Sequence, residues 1–207
     1  MATPEDTVST VYIIDDDHMA RDSLKWLIES AGLPVSVYES GLTFLEQVNT
    51  NMMGCVLLDV RMPDINGMEL HTKLQQRGIT LPVILVTGHA DVAMAVRAMK
   101  AGAYDLIEKP YNDALMLERV QSAITYNQDQ YRDQKRIAAI QACAEQLTPR
   151  EQEVMRYVLK ATQNKIIAAE LGISIKTVEL HRANLMAKMQ AKTSTELVRL
   201  AIIAGLD

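Results

Sequence analysis

Short runs of apolar residues alternate along the first half of the chain with segments whose apolar residues recur every three or four positions. Such runs are typical of buried β-strands, and the spaced segments are typical of amphipathic helices. Strands are predicted at residues 11–14, 35–38, 55–59, 83–87 and 106–107, and helices at 21–32, 41–48, 68–76, 91–101 and from 113 onward. Five strands that alternate with five helices predict a doubly wound α/β domain with a five-stranded parallel sheet covered on both faces.

The segment after this domain, residues 126–136, is polar and contains no proline or glycine. It is expected to continue the fifth helix as a solvated linker over residues 126–144. Ile137, Ile140 and Ala144 also allow a short dimer seam along this helix, as an alternative.

A second unit begins near residue 145. Thr148 and Glu151 have the spacing of a capping box, and Pro149 occupies the first helical position. Helices predicted at residues 165–171 and 175–189 flank a short turn that contains Gly172, which is the helix-turn-helix pattern. A last helix is predicted at residues 195–204, with Thr193 and Glu196 as a second capping box. The sequence therefore predicts domains at residues 1–125 and 145–207, the second a small all-α domain of four helices.

Composition changes this picture mainly through charge. The net charge is −5, but residues 144–207 carry nine Lys and Arg against seven Asp and Glu, or +2, which leaves −7 for residues 1–143. This asymmetry suggests that the two units have different partners. Cys55 and Cys143 lack metal-ligand spacing and are expected to be core residues. The first residues lack a signal-peptide pattern and no apolar run is long enough for a membrane span, so we expect a cytoplasmic protein without membrane contact.

Charged and hydroxyl side chains follow four of the predicted strands. They are Asp15, Asp16, Asp59, Thr87 and Lys109. Since the carboxyl ends of these strands converge at one edge of such a sheet, the residues are expected to lie together. Clustered carboxylates repel one another and favour Mg²⁺, while the ammonium and hydroxyl groups suit the oxygens of a phosphoryl group. The alternative is a set of ordinary exposed loop residues. A haloacid-dehalogenase-like phosphatase would need a second Asp two residues after Asp59, where the chain has Arg61.

These residues stand within motifs that resemble the response-regulator receiver domains of bacterial two-component systems. The motifs are IIDDD at 13–17, LDVRMP at 58–63, VTGH at 86–89 and EKP at 108–110. The resemblance implies that Asp59 accepts a phosphoryl group from a sensor histidine kinase and that Thr87 and Lys109 contact its oxygens. It also implies that Asp16, Asp59 and the backbone carbonyl of Arg61 ligate Mg²⁺, with Asp15 acting through water.

The chain departs from that family at Leu106, where most receivers have an aromatic switch residue. Tyr104, two residues earlier, is expected on the same side of the strand and is a candidate substitute. Arg61 and His89 flank the predicted pocket, either as residues that tune loss of the phosphoryl group or as solvated loop residues. His18 and His71 are expected on helix surfaces.

The helix at residues 175–189 is the predicted recognition helix of the second unit. Its apolar residues form a buried stripe, so a set of polar and small side chains is expected to face outward. A recognition helix directs such residues to base edges, while nearby cations bind phosphates. The predicted DNA-binding residues are Lys165, Lys176, Thr177, Glu179, Leu180, Arg182, Ala183, Asn184 and Lys188. The alternative is an ordinary helical bundle with solvated charges.

Motifs again carry a resemblance, here to the LuxR/NarL-type DNA-binding domain. They are LTPRE at 147–151, NKIIA at 164–168, LGIS at 171–174 and TVELHR at 177–182, with Ala161 where the family usually has glycine. The whole chain is similar to FixJ-type regulators. This resemblance implies a transcriptional regulator, expected to be an activator and not an enzyme, switched by phosphorylation. Its expected partners are a sensor histidine kinase, double-stranded promoter DNA, RNA polymerase and a second copy of the chain. A protein-binding or RNA-binding helical output is the other alternative.

Overall fold

The structure, a computed structural model, describes residues 8–206. Residues 1–7, to which the signal-peptide argument refers, and residue 207 lie outside the described residues. The chain divides after Gln130 into two compact units, which are described separately. No helix within residues 8–206 has both the length and the apolarity needed to cross a bilayer.

The first unit is built on a parallel sheet of five strands. They are β1 Thr10–Ile14, β2 Val35–Tyr38, β3 Gly54–Asp59, β4 Val83–Thr87 and β5 Asp105–Glu108, in the order β2-β1-β3-β4-β5. The connecting helices are α1 His18–Ser30, α2 Gly41–Gln47, α3 Gly67–Gln76, α4 Val92–Lys100 and the start of α5 Asp113–Glu145. The predicted doubly wound sheet is confirmed, and β3 lies at its centre between β1 and β4.

Each face of the sheet has its own hydrophobic core. One cluster includes Phe44, Leu70 and Leu85, and the other includes Leu24 and Met116. Successive residues of a strand point to opposite faces, so the fully buried strands read as continuous apolar runs. This two-sided burial fixes the register of β3, which carries Asp59 to the strand end.

Helix α1 begins at His18, three residues before its predicted start at 21. The carboxylate of Asp17 accepts hydrogen bonds from the backbone amides of Met19 and Ala20 and so caps the helix. The prediction followed the first apolar residues of the helix and therefore missed its polar first turn.

His71 is buried, and the prediction that it lies on a helix surface is wrong. Its Nε2 lies 3.0 Å from the carbonyl oxygen of Ala101, at the C-terminal end of α4, whereas its Nδ1 is buried without a hydrogen-bond partner among the described residues. Gln75 donates to the same carbonyl oxygen at 2.8 Å. Packing of the α4 end over α3 buries this imidazole, which the periodicity of α3 alone does not reveal.

The two cysteines differ in burial. Cys55 lies within the core of the first unit, as predicted, and Cys143 is half-buried against the core of the second unit.

The second unit contains the end of α5 and four further helices. These are α6 Pro149–Leu159, α7 Asn164–Leu171, α8 Ile175–Lys188 and α9 Ser194–Ala204. Ile140 of α5 is buried in the core of this unit, and Cys143 and Ala144 pack against it. Ile140 is therefore not available for the alternative dimer seam.

Of the two capping boxes predicted in the second unit, one is complete and the other is half formed. Thr148 and Glu151 form a complete capping box before α6. At α9, Thr193 accepts from the amide of Glu196, but the Glu196 carboxylate accepts from the amide of Lys192, so that second box is only half formed. Ala161, at the position usually occupied by glycine, has a φ of 55° in the left-handed region.

Candidate functional site

The carboxyl end of β3 places Asp59 at the edge of the sheet, and its side chain is almost fully buried. Helix α3 begins close behind it, because a Cβ atom on Gly67 would lie 2.3 Å from the carbonyl oxygen of Asp59. Only glycine permits this approach of helix and strand. The backbone around Asp59 is thus fixed by close packing on the helix side.

Both carboxylate oxygens of Asp59 have protein partners. The ammonium group of Lys109 donates to Oδ1 at 2.7 Å, and the backbone N–H of Arg61 donates to Oδ2 at 2.6 Å. Lys109 also donates to Oδ2 of buried Asp15 at 2.8 Å, and Oδ1 of Asp15 accepts from the amide of Asp17 at 2.9 Å. The ends of β1, β3 and β5 therefore converge as predicted, and the ammonium group of Lys109 lies between the buried carboxylates of Asp15 and Asp59.

The pocket contains less positive charge than its two buried carboxylates require. Burial raises the pKa of Asp59, and this effect outweighs the hydrogen bond and charge of Lys109, which lower it, while Asp15 raises it further. Burial lowers the pKa of Lys109, but its hydrogen bonds with Asp15 and Asp59 raise it overall, so the lysine stays protonated. One ammonium group thus faces two buried carboxylates, and a further positive charge would stabilise the pocket.

Asp16 and Thr87 lie at the same edge, but in the part of the chain that the structure describes neither side chain forms a hydrogen bond or salt bridge with Asp59. The Asp16 side chain is exposed, while Thr87 is fully buried and its hydroxyl donates to the carbonyl oxygen of His89 at 3.2 Å. Within residues 8–206, no group of three or more His, Cys, Asp or Glu side chains is arranged to hold a metal ion.

Sequence reasoning missed Arg21, which is buried beneath the acidic loop. Its guanidinium donates to the backbone carbonyl oxygens of Asp15 at 2.7 Å and Asp16 at 3.2 Å. A long cation in the first turn of α1 was the available signal. Arg21 orients the backbone from which the two acids project.

Tyr104 and Leu106 do not share a side of the sheet, so the prediction that Tyr104 can stand in for a switch residue beside Leu106 is wrong. Leu106 packs against the core of the α3 side, whereas Tyr104 packs against the opposite core and lies 5.4 Å from the ring of Tyr126 in α5. Tyr104 precedes the first residue of β5, so strand alternation does not apply to it.

Helix α8 presents most of the predicted DNA-binding residues to solvent. Thr177 is half-buried and shares a 2.8 Å hydrogen bond with Ser174, the N-cap residue of α8. The exposed members of the set are Lys165 on α7 and Lys176, Glu179, Leu180, Ala183 and Asn184 on α8. These exposed residues lie mainly in the first three turns of α8.

Two of the predicted DNA-binding cations instead have partners within the second unit. Arg182 donates to the side chains of Asn164 at 2.7 Å and Ser194 at 3.0 Å. Lys188 forms a salt bridge of 2.7 Å with Glu151, a buried residue whose pKa is lowered mainly by this hydrogen bond. Arg182 and Lys188 were expected to face DNA, and the structure differs from that expectation because both bond within the domain.

Comparison with known proteins identifies both units. Residues 11–121 match the family described as response regulator receiver domain, and residues 145–201 match the bacterial regulatory proteins of the luxR family. The chain is 41% identical to the transcriptional regulatory protein FixJ of Bradyrhizobium diazoefficiens over 97% of this chain and 98% of that protein. It is 39% identical to the response regulator protein TodT of Pseudomonas putida over 94% of this chain and 86% of that protein.

Solved structures give the same result. The response regulator StyR aligns with a TM-score of 0.87 at 35% identity, covering 94% of this chain and 98% of its own. Full-length FixJ from B. japonicum aligns with a TM-score of 0.58 at 40% identity, covering 97% and 99%. The fold is that of a receiver joined to a helix-turn-helix unit. The chain belongs to the response regulators of two-component systems that carry a LuxR-type DNA-binding domain, a family of transcriptional regulators and not of enzymes.

Proposed function

We propose that Asp59 is the phosphoacceptor of this chain and that its phosphorylation by a sensor histidine kinase promotes binding to promoter DNA. The observation that carries the proposal is the geometry of Asp59, whose Oδ1 lies 2.7 Å from Lys109 Nζ while the Arg61 amide holds Oδ2. A carboxylate oxygen attacks the phosphorus of a phosphohistidine, the N–P bond breaks, and the imidazole departs with the electron pair. Lys109 offsets the negative charge that develops on the transferred oxygens.

The receiver family binds Mg²⁺ at its phosphorylation site, and the donor set of this chain suits that ion. Asp15 and Asp59 are buried and share one ammonium group, and all the available donors are the oxygens that Mg²⁺ prefers. We assign Asp16, Asp59 and the Arg61 carbonyl as ligands, with Asp15 acting through water. Bound there, the ion would neutralise phosphoryl and carboxylate charge.

Thr87 and Lys109 are the proposed contacts of the phosphoryl oxygens. Lys109 already faces Asp59, whereas the Thr87 hydroxyl bonds to His89 and has to exchange that partner. Such an exchange would couple phosphorylation to the β4–α4 loop. Leu106, packed on the same side as α4 residue Met94, is the proposed position that responds.

The proposed DNA surface consists of exposed side chains of α7 and α8 together with half-buried Thr177. Lys165 and Lys176 are assigned to phosphates, and Thr177, Glu179, Leu180, Ala183 and Asn184 to base edges or the surrounding groove. Phosphorylation-dependent pairing of two chains would double this contact on adjacent half-sites and raise affinity by tethering. We further propose that the chain activates transcription through RNA polymerase in the bacterial cytoplasm, where its DNA partner lies.

The proposed domain limits are residues 1–125 for the receiver, 126–144 for the helical linker and 145–207 for the DNA-binding domain. Division into compact units after Gln130 and the family matches at 11–121 and 145–201 support limits in this region. The continuity of α5 through Glu145 supports a helical connection.

The test is phosphorylation of the full chain by a small phosphoryl donor with Mg²⁺, followed by intact mass and peptide mapping. The wild type should gain one hydroxylamine-labile phosphoryl group on Asp59, and Asp59→Asn should gain none. Asp64→Asn, which changes a nearby exposed acid, is the matched control and should be modified like the wild type. Equal labelling of Asp59→Asn would refute the proposal.

A further inference from the structure

Arg182 occupies the middle of α8, where a cation is expected to reach for DNA, but both ends of its guanidinium are used within the domain. Nη1 donates to Oδ1 of Asn164 at 2.7 Å, and Nη2 donates to Oγ of Ser194 at 3.0 Å. Asn164 is the first residue of α7, and Ser194 is the first residue of α9. A single side chain therefore connects α8 to the starts of two other helices.

Lys188 occupies the last position of α8 and makes a similar connection to the start of α6. Its Nζ donates to Glu151 Oε2 at 2.7 Å and to the carbonyl oxygen of Gln146 at 3.1 Å. Glu151 is buried, and the same Oε2 accepts from the amide of Thr148 at 2.8 Å as part of the capping box. Removing the lysine would leave a buried carboxylate without its countercharge, which is costly.

We infer that Arg182 and Lys188 are positioning residues that hold α8 against α6, α7 and α9 and do not neutralise DNA phosphates. Extension toward a phosphate would move the Arg182 guanidinium away from Asn164 and Ser194, and would move the Lys188 ammonium group away from a buried carboxylate. Phosphate neutralisation by this part of the domain then falls to exposed cations such as Lys165, Lys176 and Lys192. The inference rests on the proposed function, because it concerns how the same helix is presented to DNA.

The salt dependence of binding separates the two roles. Each phosphate that a protein cation neutralises contributes about 0.9 to the slope of log affinity against log salt. Loss of a phosphate contact lowers this slope, whereas misplacement of the helix lowers affinity and leaves the slope unchanged. The probe is the duplex that the phosphorylated wild-type chain enriches from a random-sequence pool, and anisotropy titrations over a salt series give affinity and slope together.

The variants for Arg182 separate its charge from its partners. Arg182→Lys keeps the charge but loses the two-pronged geometry, while Asn164→Ala and Ser194→Ala remove the partners and leave the arginine in place. We expect Arg182→Lys and the double partner variant each to weaken binding about tenfold with the wild-type slope, since hydrogen bonds to charged groups are lost. Arg182→Gln also removes the charge and should likewise weaken binding with the wild-type slope. If Arg182→Gln fails to fold, the partner variants still test the positioning role.

The variants for Lys188 follow the same logic. Lys188→Gln and Glu151→Gln should weaken binding to a similar extent without changing the slope. Lys176→Gln is the matched control on the same helix, and it should lower the slope by about 0.9 for each bound chain while leaving the thermal unfolding of the chain unchanged.

A slope reduced by about 0.9 for each bound chain in Arg182→Gln or Lys188→Gln, with full binding by the partner variants, would overturn the inference while the proposed function stands. Failure of the phosphorylated wild type to enrich any duplex would instead refute the proposed function, and the positioning role with it. Guanidinium ¹⁵N signals of Arg182 that are resolved in the free chain, lost in Ser194→Ala and unmoved by DNA would support the inference directly.

Discussion

Each unit of this chain contains a lysine paired with a buried carboxylate at 2.7 Å, yet the two pairs have opposite electrostatic outcomes. Lys109 faces Asp59 in the first unit, and Lys188 faces Glu151 in the second. Burial raises the pKa of Asp59, whereas the hydrogen bond from Lys188 lowers the pKa of Glu151. The difference arises mainly because burial at Asp59 outweighs the hydrogen bond and charge of Lys109, to which the charge of Asp15 adds a smaller effect, whereas at Glu151 the hydrogen bond from Lys188 outweighs burial.

This contrast indicates what separates a reactive site from a structural clamp. A carboxylate whose charge is fully compensated stabilises the fold and gains nothing from a new partner. A buried carboxylate with too little countercharge favours the arrival of a metal ion or a change in its own chemistry. In the proposed function the acidic pocket is the site that responds to phosphorylation, and the Lys188–Glu151 pair connects α8 to the start of α6.

The largest expected effect on stability comes from breaking the Glu151–Lys188 pair. Glu151→Gln should destabilise the second unit by about 2 kcal/mol, less than a fully buried pair would lose because Lys188 is partly exposed. The folded-state pKa of Glu151 is lowered, so its contribution is present at neutral pH and is lost as the pH falls below about 4.5. Urea unfolding at several pH values measures both effects. Glu153→Gln, which breaks an exposed pair with Arg150, should cost well under 1 kcal/mol.

Removal of the Asp59 charge, which Lys109 compensates only in part, should stabilise the first unit. Asp59→Asn is expected to raise the free energy of unfolding by about 1 kcal/mol at pH 7 without Mg²⁺, because ionised Asp59 is disfavoured by burial and by Asp15. The folded-state pKa is raised, so the wild type should approach the variant in stability as the pH falls through the range in which Asp59 is protonated. A destabilised Asp59→Asn chain at pH 7 would mean that the pocket is already balanced.

His71 offers a third case, a buried titratable group that lies against a neutral backbone carbonyl oxygen, that of Ala101, and not against a carboxylate. Burial lowers its pKa below 6.5, so the unfolded chain binds a proton that the folded chain excludes. Stability should therefore fall on the order of 1 kcal/mol as the pH drops below about 6.5. Thermal unfolding from pH 7.5 to 5 should show this loss in the wild type and in His18→Gln, which alters an exposed histidine of α1. The loss should be smaller in His71→Gln.

Much of the first unit and of its pocket follows from the sequence. Apolar runs and their endings are local properties, and parallel strands bring their carboxyl ends to one edge, so Asp15, Asp59 and Lys109 were expected together. The partners of Lys188 and the burial of His71 were not predictable in this way. Each depends on helix packing between residues far apart in sequence, such as Glu151 with Lys188 and His71 with Ala101. Local periodicity contains no information on such contacts.

The smallest expected effect concerns Tyr104. Because it packs against Tyr126 on the face opposite Leu106, Tyr104→Phe should change phosphorylation-dependent DNA affinity by less than about twofold. Leu106→Ala, on the α4 side, should change that dependence more. The same anisotropy assay with and without a phosphoryl donor compares them, and a larger effect of Tyr104→Phe would show that the signal passes through the α5 face.

Phosphorylation of Asp59 is proposed to control DNA binding by α8. The most direct measurement is the affinity of the full chain for its enriched duplex, with and without a phosphoryl donor and Mg²⁺, in the wild type and in Asp59→Asn. We predict that phosphorylation strengthens wild-type binding by at least about tenfold, as coupling energies between such sites allow, and leaves Asp59→Asn unchanged. Binding by Asp59→Asn as tight as that of the phosphorylated wild type, or no response in the wild type, would contradict the account.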